Sequence, residues 1–204
     1  MNYITKNQSG WKVELVQKLL GIEVSGNFDD ATLKAVKAYQ KANGLQMDGV
    51  VGEKTFTKLS GLKDCKRWIN NIILHCAATK AGKDFSAKDI DGWHRKQNGW
   101  KCIGYHYVIR LDGTIEEGRN INLTGAHCTA KNTGSIGICY IGGLDADGKP
   151  KDTRTPAQKE SLVRLVQSLM ILHCLKPMNV WCHNNFSDKP CPCFKIEDFR
   201  KEIM

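Results

Sequence analysis

The apolar positions follow two different rhythms along the chain. From Trp11 to Leu20 they recur as Trp11, Leu15, Leu19 and as Val13, Val16, Leu20, which is the spacing of a helix packed on one side, and Gly21 is placed to stop it. A second helix is predicted over Ala31 to Ala42, capped by Asp29 or Asp30. Its larger apolar residues, Leu33, Val36 and Tyr39, recur every three positions, while Lys34, Lys37 and Lys41 mark the wet face and Gly44 ends the helix. A third, shorter helix is predicted from Glu53 to Leu59. Residues 24–36 and 47–59 also align at a fixed offset of 23: Gly26 with Gly49, Phe28 with Val51, Thr32 with Thr55, Leu33 with Phe56 and Val36 with Leu59. Two copies are too few for a solenoid and predict a small pseudo-symmetric bundle whose turns lie on one face.

After the short linker Ser60-Gly61-Leu62-Lys63-Asp64, strand and helix signals alternate, which predicts an α/β domain. Asn71 to His75 reads as a short buried strand ending in a polar residue. Ser86 and Asp89 form a capping-box pattern for a helix through Asn98, closed by Gly99. Tyr105 to Leu111 and Thr114 to Glu117 flank Asp112-Gly113, a strong hairpin signal. Ser135 to Ile141 is a further apolar strand. Thr155, Pro156 and Gln158 start a long helix running to about Cys174. Val180 to His183 is the last strand, again ending in His, and Ile196 to Ile203 is a closing helix.

Composition narrows the classes. The chain has 204 residues, 41% hydrophobic and 25% charged, as in an ordinary globular protein. The longest apolar stretch, Leu162 to Leu175, is interrupted by Arg164, Gln167, Ser168 and His173, so no membrane span is expected. The stretch MNYITKNQSGWK lacks an apolar core, and no signal peptide is expected. The net charge of +9 favours an anionic partner, but it is spread along the chain. Residues 1–60 carry eight basic and six acidic side chains and residues 61–204 carry 22 and 15, with no basic run, so no nucleic-acid partner is expected. Nine cysteines without a CxxC pair, several inside apolar stretches (Cys76, Cys139, Cys174), read as reduced structural thiols.

The candidate chemistry lies at strand ends, where functional side chains of α/β proteins gather. His75 and His183 each close a predicted strand, and the loop after His183 can turn back to bring Cys191 near them. Two imidazoles and one thiolate supply three ligands and leave a fourth tetrahedral position open, the arrangement of a catalytic zinc site. Spacing alone leaves the alternatives standing: a strand-end histidine that is merely hydrogen-bonded, and a cysteine that packs between two prolines.

Two resemblances bear on this. The pattern GNFDDAT at 26–32, followed by Tyr39-Gln40, Gly44-Leu45 and DGVVGEKT at 48–55, is similar to the three-helix peptidoglycan-binding module. The stretches NNIILHCAAT, IDGWHRKQNGWKCIGYHYVIRLDGTIEEGR, GAHCTAKNTGSIGICYIGG, TPAQKESL and HNNFSDKPCPCF, in that order, resemble the zinc-dependent N-acetylmuramoyl-L-alanine amidases of type 2, the peptidoglycan-recognition-protein class. The resemblance implies a peptidoglycan-binding module over 1–60, a linker over 61–68, and a catalytic domain over 69–204 with a mixed central sheet flanked by helices. It implies one zinc ion held by His75, His183 and Cys191, with Tyr105 and Lys189 as active-site residues and His127 lining the substrate cleft. The implied substrate is the peptidoglycan amide between N-acetylmuramic acid and L-alanine. The implied route, that of endolysins, is synthesis in a host cytoplasm and action on the wall after release.

Recognition proteins of this class that bind without cutting commonly lack the cysteine, so Cys191 favours an enzyme over the alternative of a non-hydrolytic wall receptor using the same cleft. A cysteine hydrolase built on Cys191 and His183 is a third reading, weakened because Cys191 is at no evident helix N-terminus. Cys193 stands where the class often has a small residue; it is a spectator or a competitor for metal. Cys182, next to His183 on a strand, is expected to point to the opposite face. His94 and Trp93 are assigned to packing or support, and His106 is expected to face away from Tyr105.

Overall fold

The computed structural model describes residues 3–204, and the chain divides into two compact units. One comprises the residues up to Asp64 together with Gln167–Leu175; the other comprises Cys65–Val166 and Lys176–Met204.

The first unit holds three helices: α1 (Trp11–Leu20), α2 (Asp30–Ala42) and α3 (Glu53–Ser60). Asp29 caps α2 by accepting from the Thr32 N–H, and Gly21 ends α1 in the left-handed conformation. The apolar faces converge on Val13, Val16, Phe28, Val36, Val51 and Phe56, with Ile171 in the same cluster. The sequence repeat is a repeat of hydrogen bonds. Buried Gln17 accepts from the Gly26 N–H and donates to the Asn27 carbonyl and Thr32 Oγ1. Gln40, at the same offset of 23, accepts from the Gly49 N–H and donates to the Val50 carbonyl and Thr55 Oγ1. Each glutamine satisfies the backbone of one tight turn, and both glycines occupy positive φ, which a side chain would strain.

In the second unit, β1 (Asn71–Cys76), β3 (Tyr107–Ile109), β4 (Ile115–Glu117), β5 (Ser135–Tyr140) and β7 (Val180–Cys182) form one sheet in the order β4-β3-β5-β1-β7. All neighbours are parallel except β3 and β4, which make the antiparallel hairpin expected around Asp112-Gly113, so the sheet is mixed. The inner strands β1 and β5 are buried almost throughout, as strands covered on both faces must be. A two-strand ladder of β2 (Thr79–Lys80) and β6 (Gly143–Leu144) was not expected; two residues carry no periodicity.

The helices are α4 (Ala87–Asn98), α5 (Pro156–Leu172) and α6 (Ile196–Glu202). The capping box of Ser86 and Asp89 forms as predicted. Gln158 bonds reciprocally with Thr155 and also donates to the carbonyls of Ile109 and Ile141, tying the start of α5 to the sheet. Helix α5 stops at Leu172, two residues before the expected end; Cys174 lies beyond it, at positive φ and exposed, not buried as expected of a cysteine in an apolar stretch. All nine cysteines are free. Among the described residues no helix is long and apolar enough to cross a membrane.

Candidate metal centre and cleft

His75 is the penultimate residue of β1, the strand between β5 and β7, and is almost completely buried. The register pairs Leu74 with Cys182, so the next residue on each strand path brings His183 beside His75, ring centroids 4.7 Å apart. His183 itself is not a strand residue. It opens a 3-10 turn, His183–Asn185, because the Asn185 side chain accepts from the Cys182 N–H and draws the chain out of the sheet.

The following loop returns as the sequence suggested. Asn184 N–H donates to the Cys191 carbonyl, and the buried Tyr140 hydroxyl donates to the Pro192 carbonyl at 2.8 Å. The Cys191 sulfur accepts from the Cys76 N–H at 3.2 Å and lies 3.9 Å from His75 Nδ1. One donor atom each from His75, His183 and Cys191 falls within a mutual 4.8 Å. Burial holds the imidazole of His75 well below its usual pKa, aided by the neighbouring His127 and His183. Burial also lowers His183, with nearby Lys189 adding to the effect. Both rings are therefore neutral lone-pair donors near neutral pH. Two neutral imidazoles and a cysteine sulfur, which binds zinc as the thiolate, are a donor set that zinc accepts, one short of the four ligands of a closed structural site.

Cys193 is directed elsewhere: its sulfur lies 3.2 Å from the Gly143 carbonyl and 3.9 Å from the Cys76 sulfur. Burial and Cys76 push its thiol up to about 12. Cys182 faces away as expected, against the Phe194 carbonyl.

A cleft of about 720 Å³ is lined by Tyr105, His127, His183 and Lys189, together with His94 and Trp100. Tyr105 precedes β3, its ring centroid 5.0 Å from that of His75, and burial raises its phenol well above the usual value, so it carries its proton. Lys189 is exposed at the rim. His127 is buried, its ring Nδ1 3.0 Å from His75 Nε2, and burial lowers it to about 3. The sequence pattern assigns His94 to packing or support, and His94 Nδ1 does accept from the Gly104 N–H; its ring also lines the cleft, tilted against Trp100 and Tyr105. Asn132, which holds the backbone N–H groups of His127 and Cys128 through one side-chain oxygen, was missed. An asparagine in a Gly- and Thr-rich turn gives no local sign of which amides it will reach.

The profile of the N-acetylmuramoyl-L-alanine amidase family matches residues 66–194. The chain belongs to this family. The profile of the peptidoglycan binding domain matches residues 9–59, so the amidase carries an N-terminal peptidoglycan-binding module. Among curated relatives, the endolysin of Klebsiella phage KP32 is 38% identical over 128 residues, 63% of this chain and 83% of that protein. The endolysin of Escherichia phage T7 is 37% identical over 126 residues, covering 62% and 82%. Among solved structures, the N-acetylmuramoyl-L-alanine amidase LysC from Clostridium intestinale superposes with a TM-score of 0.57 at 30% identity, covering 67% of this chain and 86% of that one. The sheet and helices of the amidase are thus those of a known architecture, and its N-terminal helices answer to the second profile.

Proposed function

We propose that this amidase cleaves the amide between N-acetylmuramic acid and L-alanine with one zinc ion held by His75, His183 and Cys191. The observation that carries the reading is the convergence of those three donors within 4.8 Å, one of them, His183, lining the cleft. When bound there, zinc supplies Lewis acidity that polarises a carbonyl and makes water a nucleophile near neutral pH. The chain's own groups do the rest. Tyr105, which retains its phenolic proton, donates to the oxygen on which negative charge develops, and Lys189 brings a cation to the same mouth. His127 lines the substrate side of the cleft while bonding to His75. Which group moves the proton to the leaving amine is a choice between Tyr105 and the histidines of the cleft.

Residues 1–60 act as the wall-anchoring module, 61–68 as the linker and 69–204 as the catalytic domain. The protein acts on the cell wall after release, as the phage endolysins it resembles suggest. Digestion of purified peptidoglycan with mass-spectrometric identification of the new ends tests this. Free L-alanine amines that disappear on chelation and return with zinc are expected. New reducing sugar ends, or cleavage indifferent to chelators, would refute it.

A further inference from the structure

The ring of His75 can face Cys191 with a lone pair or with a proton, and the metal assignment requires the lone pair. Its Nε2 lies 3.0 Å from His127 Nδ1, and its Nδ1 lies 3.9 Å from the Cys191 sulfur. A hydrogen bond between two neutral imidazoles needs one N–H and one lone pair. With the shared proton on His75 Nε2, His75 Nδ1 is bare toward Cys191. With the shared proton on His127 Nδ1, His75 must carry its own proton on Nδ1, and that nitrogen no longer binds a cation. Both arrangements make the same His75–His127 bond, so the choice is made on the far side of His127.

There His127 Nε2 lies 3.3 Å from Ser135 Oγ, and that hydroxyl donates to the Asn132 carbonyl at 3.1 Å. A carbonyl oxygen only accepts. With its proton committed to Asn132, Ser135 offers His127 lone pairs, so His127 carries its proton on Nε2 and accepts at Nδ1. Ser135 is wholly buried at the first position of β5. The His127 ring is also held in place: Asn132 fixes its backbone N–H, and a Cβ at Gly125 or at Gly137 would come within 2.4 Å of the ring.

We propose that Ser135 is a positioning residue which, through His127, sets the tautomer of His75 and leaves Nδ1 as the metal-facing lone pair. The inference rests on His75, His183 and Cys191 being the metal site. Outer groups of this kind typically change metal affinity about 10- to 100-fold.

The test combines nitrogen NMR of the histidine-labelled, metal-free protein with zinc affinity by chelator competition. In the wild type both His75 and His127 carry the proton on Nε2. Ser135→Ala admits the Nδ1-protonated form of both rings and weakens zinc binding about 10- to 100-fold; Ser135→Thr, which keeps the hydroxyl, restores both. Wild-type His75 protonated on Nδ1 overturns the proposal even if the variant does not fold. So does a folded Ser135→Ala with unchanged tautomers and unchanged zinc affinity. A wild type that takes up no zinc overturns the metal assignment instead, and is distinguishable because the tautomers are read without metal.

Discussion

The backbone N–H of Cys76 donates to the sulfur of Cys191 at 3.2 Å, joining residues 115 positions apart. The bond fixes the late loop to the strand that carries His75. Cys191→Ser is therefore expected to abolish stoichiometric zinc and amide cleavage together. Metal analysis after gel filtration, paired with product analysis, checks it; a variant that keeps both would remove Cys191 from the site.

Cys193→Ser has the opposite expectation. Its sulfur points to the Gly143 carbonyl and to Cys76, so zinc content and activity stay at wild-type levels. Loss of metal comparable to that of Cys191→Ser would make it a ligand.

Tyr105→Phe and Lys189→Ala each remove one donor from the cleft while leaving His75, His183 and Cys191 in place. Each is expected to lower turnover about 100- to 1000-fold with zinc retained. Rates of amine release from peptidoglycan measure this, and a change of less than about tenfold would deny the residue a role at the oxyanion.

His106 makes stability fall in acid. Burial chiefly, with nearby Arg67 and Arg119, lowers its ring from the ordinary 6.5 to about 4, outweighing the bond to Leu123, which raises it. Its Nδ1 accepts from the Gly137 N–H. Because the folded value is depressed, this contribution is fully present above pH 6.5 and is lost as pH falls toward 4. The integrated loss is on the order of 3 kcal/mol. Denaturant unfolding between those limits and an NMR titration of His106 report it; a midpoint near 6.5 in the folded protein would contradict the burial argument.

Gln40→Ala strips the partner from the buried Gly49 N–H, and Gln17→Ala does the same to the Gly26 N–H, while the Val50 and Asn27 carbonyls keep other donors. Leaving such groups unsatisfied costs about 1–3 kcal/mol. Unfolding curves of the full chain, following the N-terminal unit, should show it for both; a loss within about 0.5 kcal/mol would mean that water replaces the glutamine.

The elements were legible where their causes are local. Asp29 and Ser86 cap helices through amides three residues ahead, and Asp112-Gly113 turns a hairpin between adjacent strands, so neighbours in the sequence are neighbours in space. The three candidate ligands were named from strand ends and from resemblance. Their meeting, however, depends on β7 pairing with β1 in one register, and a shift of one residue would send His183 to the other face. The ladder of β2 and β6, the glutamine at each turn and the line from Asn132 through Ser135 and His127 to His75 were not legible at all. The sequence determined which segments coil, extend and turn, because those preferences are settled within a few residues. Only the tertiary structure decided which buried polar groups satisfy one another, since a hydrogen bond between distant residues leaves no periodic trace in either segment.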